Sequence, residues 1–169
     1  MTSLKKILGH LRTVTKHRYY VCIECFRVGL YWQGLVHDLS KYSLAEFPVS
    51  AKFYQGDRSP LGIERQEYGF SKVWAHHLNY NKHHFQHWLD IPEKDSRCIP
   101  IEMPYRYALE MACDFIGAAK TYKGIPLDKN EPLRHWNESV DKKFIHPKTV
   151  ALLQGFFEHY AETGKILDK

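Results

Sequence analysis

The chain has 169 residues and a formal charge of +5, the length of one ordinary domain rather than two. With 44% hydrophobic, 25% charged and 14% aromatic residues it falls outside the disordered, collagen-like and low-complexity classes. The modest basic excess suits phosphorylated substrates, whereas nucleic-acid binding is not indicated because Lys and Arg are dispersed along the chain rather than clustered. The unusual residue is histidine, present 11 times, a side chain that ligates metals and titrates near neutral pH.

The apolar positions Leu4, Ile7, Leu8, Leu11, Val14, Val21, Cys22, Cys25 and Val28 follow a 3.6-residue period and predict one long amphipathic helix ending near Gly29. A second apolar stretch, 30–39, runs into Ser40, Lys41 and Tyr42, after which Ser43 is placed to cap a short helix through about residue 54. The turn-rich segment 55–62 predicts a loop, and 64–89 reads as one or two helices holding most of the histidines. Pro92, Pro100 and Pro104 bracket an irregular connection, with Pro104 opening a helix over 105–122. Asn130 and Pro147 open two final helices, about 131–144 and 147–163, the last closed by Gly164. No segment alternates as a strand does, so the expected fold is all-α, a single domain over 1–169 with about six to eight helices and no sheet. The C-terminal helices, rich in aromatics (Trp136, Phe144, Phe156, Phe157, Tyr160), are expected to complete the core or form a dimer face.

No apolar run reaches the roughly 18 residues needed to span a bilayer. The N-terminal run is interrupted by Gly9, His10 and Arg12 and no cleavage site follows, so neither a membrane span nor a signal peptide is expected and the cytoplasm is the expected compartment. Cys22 and Cys25 form a CxxC within helical sequence, without a second pair at zinc-site spacing. Together with Cys98 and Cys113 they are expected to be free thiols.

Four features carry potential chemistry. His37-Asp38 stands among Leu35, Val36 and Leu39, where an ionised carboxylate is costly without a cation or hydrogen bonds. Asp114 has Glu110, Met111, Gly117 and Ala118 as its helical neighbours, and small residues there let another helix approach; it suits either a cross-helix ion pair or a ligand. His17, beside the apolar stripe of the first helix, suits either a buried structural role or ligation. The densest feature is WAHHLNYNKHHFQHW, which places His76, His77, His83, His84 and His87 within twelve residues. On a helix, His77 with His84, or His76 with His83, would share a face, and only one of these registers can point inward. Asn81 is placed either to orient a histidine or, the preferred reading, to cap the second half of a broken helix. Tyr19, Tyr42, Tyr80 and Tyr122 neighbour these residues and suit core packing or stacking on a base or sugar.

The order His17, His37-Asp38, histidines near His77 and His84, then Asp114 resembles the H...HD...H...H...D pattern of the HD-domain superfamily of metal-dependent phosphohydrolases, over roughly residues 10–122. LVHDLSKYS further resembles its HDxxK form, and HHxxxNxHH resembles a small group of short bacterial and phage HD-type proteins. The resemblance implies an HD-like helical bundle in which His17, His37, Asp38 and Asp114 hold one divalent transition metal. Asp38 would then bridge to a second ion held by His77 and either His83 or His84. Imidazole with carboxylate suits Mn, Fe, Co, Ni or Zn. It also implies that hydroxide between the ions attacks a phosphoester of a small phosphorylated metabolite, a nucleotide being the first expectation, with Asp38 and Lys41 catalytic and Lys41 and Arg18 contacting phosphate. Two alternatives use the same residues: an HD-fold diiron oxygenase, and a non-catalytic module binding metal or nucleotide. Homo-oligomerisation is compatible with each.

Overall fold

The computed structural model describes residues 2–93 and 97–168, apart from the side chain of Lys142. Helix α1 (Leu4–Arg27) starts where the Ser3 hydroxyl accepts from the Lys6 backbone N–H at 3.3 Å, and ends before Gly29, whose φ of 81° suits glycine. Short helices follow: α2 (Tyr31–Val36), α3 (Phe47–Phe53), α4 (Pro60–Tyr68) and α5 (Lys72–Tyr80). The second long helix, α6 (Tyr105–Lys123), is followed by α7 (Glu131–Asn137) and α8 (Pro147–Thr163). The protein is thus mainly α-helical, and among the described residues no helix is long and apolar enough to cross a membrane.

The central pairing is α1 against α6. Gly117 makes it close: a side chain there would meet the backbone nitrogen of Val21 at 2.9 Å. Val21, Cys25, Ala108, Ala112, Cys113 and Ile116 are fully buried along this contact. Trp136 of α7 and Phe157 of α8 are equally buried and belong to the same cluster, so the C-terminal helices complete the core. At the lower end of the pair the buried Glu24 carboxylate accepts from Lys120 Nζ at 2.5 Å and Arg27 at 2.8 Å, tying α1 to α6. All four cysteines are free.

Three local expectations are corrected. The segment 55–62 is not loop throughout, because Ser59-Pro60 opens α4 with proline in its first turn, where the missing N–H costs nothing. The expected helix over 131–144 stops at Asn137, with a 3₁₀ turn at Val140–Lys142. The fold also has a minimal sheet: β1 (Leu89–Asp90) pairs antiparallel with β2 (Ile99–Pro100), Leu89 opposite Pro100. Two residues per strand are too few to produce a readable alternation.

The histidine-rich stretch departs furthest from helix. After α5 ends at Tyr80, Asn81 turns its amide back to donate to the His77 carbonyl at 2.8 Å and to Ser40 Oγ at 2.8 Å. That side-chain bond competes with helix continuation, so the chain turns through His83 and His84 into a 3₁₀ turn at Phe85–Trp88. Asn81 therefore closes one helix and orients His77, rather than capping a second.

Candidate metal centre

Asp38 lies at the middle of the molecule's polar interior. It follows the C-terminus of α2 in the left-handed conformation, φ 54° and ψ 24°, which disfavours most side chains but is comparatively accessible to Asp. Arg18 of α1 secures this turn, donating from Nε to the His37 carbonyl at 2.7 Å and from its terminal nitrogen to the Leu35 carbonyl at 2.8 Å. Its guanidinium also lies over the Tyr42 ring at 5.3 Å. Two of Arg18's five N–H donors thus go to the backbone that presents His37 and Asp38, a positioning role that the sequence did not suggest.

Four elements converge on this turn. α1 supplies His17 and α6 supplies Asp114, brought together by the close approach at Gly117. α5 supplies His77, and the turn after it supplies His83 and His84. Asp38 Oδ2 stands 3.3 Å from His17 Nε2, 3.4 Å from His37 Nε2 and 2.5 Å from Lys41 Nζ. Its other oxygen, Oδ1, stands 3.2 Å from His77 Nε2 and 3.6 Å from His83 Nε2. Asp114 Oδ1 is 3.1 Å from His17 Nε2 and 3.5 Å from His37 Nε2, and His84 Nε2 is 2.9 Å from His77 Nε2. Two overlapping groups result, His17, His37, Asp38, Asp114 and Asp38, His77, His83, His84, each with its donor atoms within 4.8 Å of one another.

These distances do not describe a satisfied hydrogen-bond network. The Nε2 atoms of His17, His37 and His83 and Asp38 Oδ1 are buried without a hydrogen-bond partner among the described residues, and Asp38 Oδ2 has only the Lys41 ammonium. Buried polar atoms are costly to leave unpaired, and a cluster of them facing inward fits an ion better than it fits protein alone. The spacing agrees, since ligands about 2.0–2.2 Å from one metal lie about 3.0–3.6 Å from each other.

The opposite ring nitrogens are held by carboxylates. His77 Nδ1 is 2.9 Å from Glu46 Oε2, and His76 Nδ1 is 2.9 Å from Glu46 Oε1. Glu110 Oε1 is 3.1 Å from His37 Nδ1 and 3.3 Å from His83 Nδ1. Burial raises the pKa of Glu110, but His37 and His83 outweigh it and hold the carboxyl below its usual range. An ionised acceptor at Nδ1 fixes the tautomer that leaves Nε2 free to ligate. The same balance operates at the centre. Burial opposes charge on Asp38, yet His37, Lys41 and His77 hold its pKa well below the ordinary value. Asp114 is lowered likewise, against burial, by His17 and His37.

Of the residues expected from the sequence, His17, His37, Asp38, His77, His83, His84 and Asp114 come together, and Lys41 adjoins Asp38. The choice between His83 and His84 dissolves: the turn after Asn81 brings in both. His76 stays outside on Glu46, and His87 bonds the Leu78 carbonyl at 3.0 Å. Tyr19 and Tyr80 are exposed and Tyr42 bonds Thr15, while Tyr122 lines the cleft leading to the centre. Glu46, Glu110 and His10 were missed. Glu110 had a signal, lying one helical turn before Asp114, whereas Glu46 had none.

That cleft has two parts. An inner chamber of about 220 Å³ runs along α1 from His17 to His10 and is also lined by Lys41, Tyr54, Trp74 and Tyr122. A wider outer cleft of about 730 Å³ opens on the other side of Asp114 and His84.

A model of a family of unknown function, DUF5662, matches residues 6–159, and the chain belongs to that family. No curated protein and no solved structure matches it.

Proposed function

We propose that this member of a family of unknown function is a metal-dependent phosphohydrolase of HD type, acting on a small phosphorylated metabolite at a two-metal centre. The observation that carries the reading is the division of one buried carboxylate: Asp38 Oδ2 faces His17 and His37, with the Lys41 ammonium beside it, while Oδ1 faces His77 and His83 and has no hydrogen-bond partner among the described residues. A structural Asp needs only one partner group, whereas a bridging ligand needs two sets on opposite oxygens. His17, His37, Asp38 and Asp114 would hold one ion and Asp38, His77, His83 and His84 the other. Bound divalent ions would supply Lewis acidity and hydroxide at neutral pH. Lys41, its ammonium kept charged against burial by Asp38 and Asp114, stands where it can neutralise a phosphate oxygen and stabilise charge as it develops. Glu46 and Glu110 hold the imidazoles in the ligating tautomer.

The test is elemental analysis of protein purified without chelator or nickel resin, followed by an anaerobic phosphoester screen with Mn or Co. Close to two ions per chain and turnover without O₂ is the expected result. Activity that requires iron and O₂ would give the centre to a diiron oxygenase, and metal-dependent melting without turnover to a binding module. Failure to take up any of Mn, Fe, Co or Zn would end the metal reading.

A further inference from the structure

The inner chamber differs in character from the centre it adjoins. His17 and His10 are seven residues apart on α1, which carries the chamber about 10 Å away from the metal ligands. Among its described lining residues the ionised groups are Lys41, Glu46 and Asp114, all engaged at the metal end. Beyond them the walls are uncharged and mainly apolar, with Val14, Leu61, Val73 and Trp74, and carry a few hydroxyls. Thr13 Oγ1 and the Tyr54 hydroxyl share a hydrogen bond of 2.9 Å, and Ser50 and Ser59 add two more hydroxyls.

His10 closes the chamber. Its ring packs 5.1 Å from Phe47 and 5.8 Å from Tyr54, it is 4% exposed, and neither ring nitrogen has a hydrogen-bond partner among the described residues. Burial, then the field of Lys41, pushes its pKa down to about 4, so the imidazole is neutral at physiological pH. An unsatisfied neutral imidazole at the end of a cavity offers a donor and an acceptor to an uncharged polar group. A second phosphate or a carboxylate there would be desolvated without a cation to meet it.

We propose that the inner chamber is a subsite for an uncharged organic group, so that the substrate is a phosphomonoester whose alcohol part carries no second anion. This rests on the phosphohydrolase reading for the phosphate end. Trp74 and Tyr54 supply flat apolar surface, and His10 with the Thr13–Tyr54 pair supplies hydroxyl or amide recognition. The chamber's volume admits a group about as large as a hexose or a nucleoside.

The experiment compares two series on the metal-loaded full chain: glucose phosphate and adenosine monophosphate, with uncharged alcohol parts, against fructose bisphosphate and phosphoglycerate, which carry a second anion. The expected result is kcat/KM at least about tenfold higher for the first series, the loss of roughly one well-made polar contact or its equivalent. His10→Phe should raise KM for the first series by about tenfold while leaving inhibition by inorganic phosphate unchanged, because phosphate alone reads only the metal end. Should that variant fail to fold, the two-series comparison on the unaltered chain still decides. Calorimetric titration of the same compounds reads the subsite without turnover. Tighter binding of the uncharged series with no hydrolysis of any ester sinks the phosphohydrolase reading and supports the subsite. Hydrolysis with the anionic series equal or preferred overturns the subsite alone and moves the organic part to the outer cleft.

Discussion

Glu110 of α6 places one carboxylate oxygen 3.1 Å from Nδ1 of His37, and the same oxygen lies 3.3 Å from Nδ1 of His83. These two histidines belong to different ligand groups, so one buried acceptor orients a ring in each. Glu110→Gln keeps the side chain's shape but lacks the charge that two N–H donors share. It should weaken metal at both positions together, by roughly 10–100-fold, with helical content unchanged. Competition against a chromophoric chelator reads this, and unaltered affinity at both positions would show that Glu110 does not orient the ligands. Glu46→Gln should weaken the His77 group alone.

Asp38 combines two demands, a left-handed backbone and a shared charge. Asp38→Asn tests them separately, because Asn tolerates the same conformation at little cost while supplying no anion. The expected outcome is a folded, helical protein with almost no bound metal and no turnover; normal metal stoichiometry in this variant would sink the assignment. Substitution of His87, His135, His146 or His159 by Ala should leave metal content unchanged. Loss of metal in His159→Ala would mean that the centre is drawn around the wrong residues.

How far the sequence disclosed this centre follows from the physics of each segment. α1 and α6 are long and amphipathic, so periodicity located them, and the small pair Gly117-Ala118 already implied the close approach that joins His17 to Asp114. His83 and His84 were reached by the opposite route. Helical spacing suggested that one face would carry a ligand from each histidine pair, but the chain leaves the helix at Asn81, and the turn brings in two adjacent residues that no helix could aim at one point. The signal for that turn is a single Asn whose amide bonds back to His77, and its competing roles cannot be ranked without Ser40 in place. Arg18 shows a related limit: the sequence suggested a phosphate contact, and its bonds to the Leu35 and His37 carbonyls, which hold the turn of Asp38, appear only with the chain folded. Glu46 and His10 were invisible because their contacts cross from the residue before α3 to α5 and from α1 to α3, distances that periodicity along one helix does not encode.

The metal-free chain should be most stable near pH 6.5. Burial opposes charge on His37 and His77, but Asp38 foremost raises both above the ordinary 6.5. Their contribution is fully present below pH 6.5 and is lost as pH rises through the raised values. His10, lowered to about 4 by burial, and His84, lowered by burial and His83, act in the other direction: their contribution is present above 6.5 and lost as pH falls. Asp38 and Asp114, held low, begin to lose theirs only below the usual 3.8. Because metal needs neutral imidazole, loading should lift the melting temperature on the alkaline side and move the maximum upward. Melting curves over roughly pH 5 to 9, with chelator and with metal, measure this. A metal-free melting temperature that climbs steadily across that range would contradict the geometry of His37 and His77.

Gly117 couples packing to the centre. A methyl group there would collide with the Val21 side chain, which could rotate, and with the Val21 backbone nitrogen at 2.9 Å, which could not. Gly117→Ala must therefore separate α1 from α6, and overpacking of this kind costs about 1–3 kcal/mol, against about 1 kcal/mol gained from the better helix propensity of Ala. Val21 lies one turn after His17, and Gly117 lies three residues after Asp114, so the separation falls on the 3.1 Å pair between His17 Nε2 and Asp114 Oδ1. The group formed by Asp38, His77, His83 and His84 takes no ligand from either helix at that level. The variant should melt at a lower temperature and lose affinity mainly at the His17 position, leaving close to one tightly held ion per chain. Equal weakening at both positions would mean that the two ligand groups move as one body, and an unchanged melting temperature would mean that the α1–α6 contact yields more easily than its backbone spacing implies.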